Sequence, residues 1–262
     1  MYQYVTDKDF LKRLRGTCGD VVNQLVQRIN RDPEMTVSAH LVGSGGRNLV
    51  TQNAKGQIDL DYNLYIERSR IWNEREIKEY IKTKFNEVLR SKGWGDCRDS
   101  TSVLTTEWRY FKKGNKTNFR IDLAIIRKDY LGQHRLIHYK TGYVNLDQYY
   151  WNLAPNAADL EKKVTAIKSN NLWNQVRDAY LAKKNFYLRK NDYNHPSFIV
   201  YNEAVNEVYQ RFQQHQQLVC SVGGRRKTCR LLFVGLLQRK VPDFKDFNCQ
   251  PDRFGNLNPI DF

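Results

Sequence analysis

Residues 57–66, QIDLDYNLYI, constrain this chain more than any other stretch. Alternation along an extended strand sends Ile58, Leu60, Tyr62 and Leu64 to one face and Asp59, Asp61 and Asn63 to the other. The apolar side must be covered, so the segment belongs to a sheet with one buried face. The acidic side sets a harder condition. Two carboxylates about 7 Å apart on one strand face repel each other unless positive charge sits between them. An exposed strand wearing aspartate on its wet face is one solution. A magnesium or manganese ion, which takes oxygen ligands from one or two carboxylates, is the other. The Asp-x-Asp pair alone leaves both open.

Two further segments bear on that choice. TVSAHLV at 36–42 reads as a strand delivering the chain into GSGG at 43–46. The backbone N–H groups of such a corner, with the Ser44 hydroxyl, suit phosphate oxygens, although a glycine cluster by itself is also a plain turn. Neither the P-loop order G-x-x-x-x-G-K-[ST] nor the dinucleotide pattern G-x-G-x-x-G is present here. In NFRIDLAII at 118–126, Asp122 interrupts an apolar strand, and a lone charge there is costly unless paired or liganded. Beside 57–66 in one sheet, this strand brings Asp122 to the same cation as Asp59 and Asp61. Arg120, on the same strand face, is the competing partner and neutralises the aspartate without any metal.

Periodicity supplies the other elements. Thr6 with Asp9 reads as a helix start, and Phe10, Leu11, Leu14, Cys18, Val21, Val22, Leu25, Val26 and Ile29 recur at helical spacing to about Asn30. Asn73 with Glu76 caps a second helix with Ile77, Tyr80, Ile81, Phe85, Val88 and Leu89 on its apolar face, ending near Gly93. SVLTTEWRYF and NFRIDLAII flank KKGNKT as a hairpin, and RLIHY at 135–139 adds a strand. From about Val144 the pattern turns helical, with helices within 157–170, 172–188 and 196–217, the last with Pro196 in its first turn. The expected class is α+β: a mixed sheet with flanking helices over 1–143, then a mainly helical domain over 144–262.

Composition narrows the partners. At 262 residues and a formal net charge of +15, the chain is long enough to bury a core and basic enough to favour polyanions, although many of its cations fall on helix faces that water can solvate. No apolar run approaches the roughly 20 residues of a membrane span. The longest, LLFVGLL at 231–237, suits a buried strand or short helix. MYQYVTDKDF at the start carries no signal pattern, so the cytoplasm is the expected compartment. Five scattered cysteines point to reduced thiols, with Cys18 on a helix's apolar face. His215, Cys220, Cys229 and Cys249 could gather round zinc but lack the close C-x-x-C pair of a strong zinc motif.

Strand, Gly-Ser corner, Asp-x-Asp strand, helix, then a hairpin strand with one more aspartate: residues 36–127 resemble the nucleotidyltransferase superfamily typified by DNA polymerase β. The helical remainder resembles its template-free branch, which includes oligoadenylate synthetase and the bacterial cyclic-oligonucleotide synthases. LDQYYWNLAP, with Trp151 and Pro155, stands where such proteins pass from sheet to helical lobe. The interval from Ser44 to Asp59 is slightly longer than that family shows, which implies an enlarged loop carrying Arg47, Thr51 and Lys55.

The resemblance implies an NTP-dependent transferase using magnesium or manganese. Asp59 and Asp61 bind two ions, one arriving with the triphosphate. Asp122 completes the other metal site and readies the acceptor hydroxyl for in-line attack on the α-phosphorus. Gly43 and Ser44, with Arg47 and Lys162, hold the triphosphate. Lys163 and Lys168 share the helix of Lys162, with a solvated face as the alternative for all three. Tyr149, Tyr150 and Trp151 offer base stacking or plain core packing, GGRRKTCR at 223–230 a phosphate contact or a basic turn, and His195 beside Pro196 a helix start. The acceptor classes are a second nucleotide, an RNA end or protein side chain, or a small molecule such as an aminoglycoside antibiotic, which this positive charge disfavours. The alternatives outside catalysis are a silent relative that binds nucleotide, RNA or a protein, and a nucleic-acid module resting on charge alone. No membrane partner is expected, and oligomeric state is not legible.

Overall fold

The structure, a computed structural model, describes residues 1–54, 56–154, 158–192 and 195–222, with 158 and 218–222 as backbone only. A short strand, β1 (Tyr2–Tyr4), precedes helix α1 (Lys8–Asn30). Asp7, rather than Thr6, caps that helix: its Oδ1 accepts the Phe10 amide at 2.9 Å, satisfying a donor that helix geometry leaves open. The chain continues through β2 (Met35–Leu41), a single turn of helix α2 (Gly43–Gly46), β3 (Thr51–Asn53) and β4 (Ile58–Ser69). Helix α3 (Glu74–Ser91) starts at Asn73, whose Oδ1 accepts the Glu76 amide at 3.1 Å. Two short strands follow, β5 (Arg98–Asp99) and β6 (Leu104–Thr105), then β7 (Phe119–Asp129), β8 (Gly132–Tyr139) and β9 (Gln148–Leu153). Helices α4 (Ala158–Ser169), α5 (Trp173–Arg189) and α6 (Ser197–Val222) complete the described chain. The mixed α+β class is as the residue pattern predicts.

Two compact units emerge, one holding 1–154 and 184–192, the other 158–183 and 195–222. In the first, β4 and β7 pair in parallel at the centre of a seven-stranded mixed sheet. β2 runs antiparallel along β4, β6 and β5 extend from the first half of β7, and β8 and β9 extend from its second half. The expected hairpin is much reduced: β6 keeps Leu104↔Leu123 and Thr105↔Asp122, and one bridge links Arg109 to Phe119. The helical pattern also begins later than Val144, because 148–153 forms β9.

The sheet is asymmetric because its strands alternate. Ile58, Leu60, Tyr62 and Leu64 of β4, with Phe119, Ile121, Leu123 and Ile125 of β7, pack against the buried stripes of α1 and α3. Asp59, Asp61 and Asp122 therefore emerge on the opposite face. The longer Ser44–Asp59 segment is not an open loop. β3 pairs with β1, and Asn185 on α5 holds the β1 edge, accepting from the Tyr2 amide at 2.7 Å and donating to the Tyr2 carbonyl at 3.0 Å.

A polar cluster is buried where α3 meets β5 and β8. Lys78, 1% exposed, places Nζ 2.7 Å from Asp99 Oδ1 and donates to the Ser100 carbonyl. His138 lies between Asp99 Oδ2 at 2.9 Å and Asp147 Oδ2 at 3.0 Å, with Tyr149 stacked on its ring.

In the second unit, Val164 and Ile167 of α4, Val176 and Tyr180 of α5, and Val205 and Val208 of α6 are buried. Among the described residues no helix is long and apolar enough to cross a membrane, and Cys18 and Cys97 are free and buried. Lys55, Pro155, GGRRKTCR, LLFVGLL, Cys229, Cys249 and the side chain of Cys220 lie outside the described residues.

Candidate active site

The antiparallel pairing of β2 with β4 delivers the glycine corner to the acidic face: Leu41 pairs with Tyr62, and the Val42 amide donates to the Asp61 carbonyl at 2.8 Å. The chain then turns at Gly43 with φ of +62°. A Cβ at this position would stand 2.1 Å from Asp61 Oδ2, so only glycine lets the carboxylate lie against the corner's backbone. The Gly46 amide returns to the Val42 carbonyl and the Leu49 amide to that of Ser44, which closes the turn. Gly43, Ser44 and Arg47 are thereby gathered beside Asp61.

Parallel register does the same for the carboxylates. Asp61 stands directly across from Asp122, and Asp59 across from Arg120. Thr105 of β6, buried, flanks Asp122 on its other side. Burial, reinforced by the charges of Asp122 and Asp59, pushes the Asp61 carboxyl up to about 6, against the opposing charges of Arg135 and Arg47. Burial also raises Asp59, and there the positive charge of Arg120 pulls the other way.

Arg120 occupies the space between two of the three acids. Its Nε lies 2.7 Å from Asp59 Oδ1 and 3.6 Å from Asp122 Oδ1, and its Cζ sits 4.4 Å from the centre of the Trp108 ring. The contacting atoms, Arg120 Nε and the two carboxylate oxygens, are buried, and the pairing opposes the rise that burial gives Asp59. Among the described residues, no group of three or more His, Cys, Asp and Glu side chains is gathered closely enough to hold a metal ion. At the acidic face the Arg120 guanidinium stands against both Asp59 and Asp122. The donor set nonetheless suits a hard divalent cation: three carboxylates on adjacent parallel strands, one kept against its ordinary ionisation by burial.

No protein-family model matches the sequence, and no curated protein matches it. Solved structures do. The CdnC:HORMA-deltaN complex of E. coli MS115-1 aligns with a TM-score of 0.50 at 14% identity, covering 82% of this chain and 66% of that chain. The fold is a nucleotidyltransferase fold. The Elizabethkingia meningoseptica CdnE cyclic dinucleotide synthase with GTP and Apcpp aligns at 0.48 and 11% identity, over 79% of this chain and 76% of that one. The Vibrio cholerae DncV cyclic AMP-GMP synthase with a linear intermediate aligns at 0.47 and 11% identity, over 66% and 47%. This chain therefore spans 47% to 76% of the length of these three chains.

Within this nucleotidyltransferase fold the other sequence candidates are dispersed. Lys162 is exposed on α4 of the second unit. On the same helix, Lys163 pairs with Asp159 and donates to Asn206, and Lys168 lies over the Trp173 ring. Tyr149 stacks on His138, Trp151 lies beneath Arg127 and against the core, and Tyr150 is exposed on the other face of β9. His195 precedes α6 and approaches Glu203 at 3.9 Å, in keeping with a helix start. Arg135 escaped sequence reasoning. Its register opposite Ile126 puts it on the acidic face, and no pattern within RLIHY reveals which face that strand presents to β7.

Proposed function

We propose that this chain transfers an NMP group from an NTP to a hydroxyl acceptor, a nucleotide or a nucleic-acid end, and releases pyrophosphate. The observation that carries the reading is the register of Asp61 against Asp122, with Asp59 on the same face and the Gly43 corner closed over Asp61. Magnesium or manganese bound by Asp59, Asp61 and Asp122 would neutralise the triphosphate and stabilise both the attacking and the leaving oxygen. Gly43 and Ser44 seat the β- and γ-phosphates. Arg47, beside Asp61, balances charge on the departing pyrophosphate. Asp122 receives the acceptor hydroxyl and aims its oxygen at the α-phosphorus, so the chain's own share of catalysis is positioning and fixed charge. A net charge of +15 supports an anionic acceptor over a cationic aminoglycoside.

The Arg120 bridge favours a second reading, a non-catalytic nucleotide or RNA binder in which arginine permanently takes the metal's place. Incubation of the purified chain with magnesium and labelled NTPs separates the two. Pyrophosphate release that is abolished in Asp61→Asn, with an unchanged circular dichroism spectrum, supports the enzyme. Equal turnover in that variant overturns the site, and NTP binding without turnover in the wild type supports the binder. Chromatography of products formed with and without RNA, DNA or a second nucleotide identifies the acceptor.

A further inference from the structure

We propose that Arg120 is a built-in competitor of the metal, and that loading of the acidic face releases its guanidinium from Asp59 and leaves it held by the indole of Trp108 alone. The proposal rests on the metal-site reading above and adds to it the step by which the site opens.

Three observations converge on this arginine. First, it already plays a cation's part, reaching Asp59 at 2.7 Å and Asp122 at 3.6 Å from a single nitrogen. A divalent ion entering between these carboxylates meets both an occupied position and a like charge. Second, the hold is divided. One nitrogen, Arg120 Nε, serves two carboxylate oxygens at unequal distances, while the rest of the Arg120 and Asp59 side chains is 30% and 43% exposed. A divalent ion brings twice the guanidinium's charge to the same oxygens, so it can displace the arginine. Third, the displaced group has a prepared seat. The antiparallel bridge between Arg109 and Phe119 makes Trp108 and Arg120 cross-strand neighbours, and Cζ already lies 4.4 Å from the ring centre. Cation–π attraction keeps the charge solvated by the ring once the carboxylates are taken.

The acidic face is thus neutralised by the protein itself until a stronger cation arrives. Metal alone binds weakly. Metal accompanied by a triphosphate binds better, because the phosphate oxygens complete its coordination and offset the freed arginine's charge.

The test measures Mn2+ binding to the full chain by loss of the free-ion electron paramagnetic resonance signal, in wild type, Arg120→Gln, Arg120→Lys, Trp108→Leu and Asp61→Asn. Arg120→Gln should bind Mn2+ roughly five- to thirtyfold more tightly, the factor that one or two kcal/mol supplies. Arg120→Lys should not, because it keeps the competing charge. Trp108→Leu should bind several-fold more weakly, and Mg2+ should change tryptophan fluorescence in the wild type but not in Trp108→Leu. Retention of Mn2+ binding in Asp61→Asn refutes the metal site itself. Loss in Asp61→Asn with unchanged or weaker binding in Arg120→Gln leaves the metal site standing and overturns the competitor. Should Arg120→Gln not fold, Trp108→Leu decides: weaker binding supports the proposal, and unchanged binding overturns it.

Discussion

Asp61 holds its proton to about pH 6 because burial and two neighbouring carboxylates oppose its ionisation. The unfolded chain releases that proton near the ordinary aspartate value of about 3.9. Between those values the native state binds more protons than the unfolded state, so stability falls as pH rises, and the penalty is complete above the native value. Asp61→Asn removes the penalty. That variant should be more stable than the wild type at pH 8 by about 1–3 kcal/mol, converging with it toward pH 4, while losing turnover. Urea melts at both pH values check this, and a variant less stable at pH 8 would show that Asp61 is held by something stronger than the repulsion described. That Asp59, Asp61 and Asp122 share one face of the sheet was legible, because charge inside an apolar strand is a chemical anomaly wherever it occurs. The Arg120–Asp59 pairing was not. Arg120 was legible as a partner for Asp122, its neighbour along the strand, whereas its closer contact is set by cross-strand register with a segment some sixty residues earlier.

At the scale of elements, the cluster joining α3, β5 and β8 shows how burial turns polar residues into structural ones. Lys78 faces the interior with a side chain 1% exposed, and burial lowers its pKa while Asp99 opposes that shift. Asp99→Ala leaves Lys78 with the Ser100 carbonyl and His138 with Asp147 alone. Removal of one partner from a buried pair costs about 3–5 kcal/mol, whereas replacing both by apolar residues is often near neutral. Urea unfolding should therefore find Asp99→Ala severely destabilised and Lys78→Met with Asp99→Leu much less so. A cost below about 1 kcal/mol for Asp99→Ala would place the pair with exposed ion pairs instead. None of this was visible in the chain's periodicity. Lys78 falls within the apolar stripe of α3, but its partner lies on a two-residue strand too short to alternate. β1 and β9 were missed for related reasons, the first for its length and the second because QYYWNL has apolar side chains on both faces. The long helices and β4 were legible because caps and periods are local properties of sequence.

For the molecule as a whole, net charge states the sign of a partner and says nothing of its place. Forty-three lysines and arginines face twenty-eight acids, giving +15. Many of these cations are engaged locally: Arg28 with Glu87, Lys92 with Asp20, Arg90 with Asp96, and Lys183 and Arg211 with Glu207. Such pairs do not seat a phosphate backbone without breaking, so the excess charge acts on a polyanion mainly as a field. Nucleic acid drawn by that field should bind independently of the acidic face. Fluorescence polarisation of a labelled single-stranded RNA should weaken steeply with salt, about a thousandfold between 50 and 200 mM if some six to ten phosphates are contacted. Asp59→Asn should leave that slope unchanged, since it removes a negative charge and no phosphate contact, and should abolish pyrophosphate release. A shallow slope, or RNA binding lost with Asp59, would mean instead that nucleic acid engages the chain only through the carboxylate site and that the surface cations serve their own neighbours.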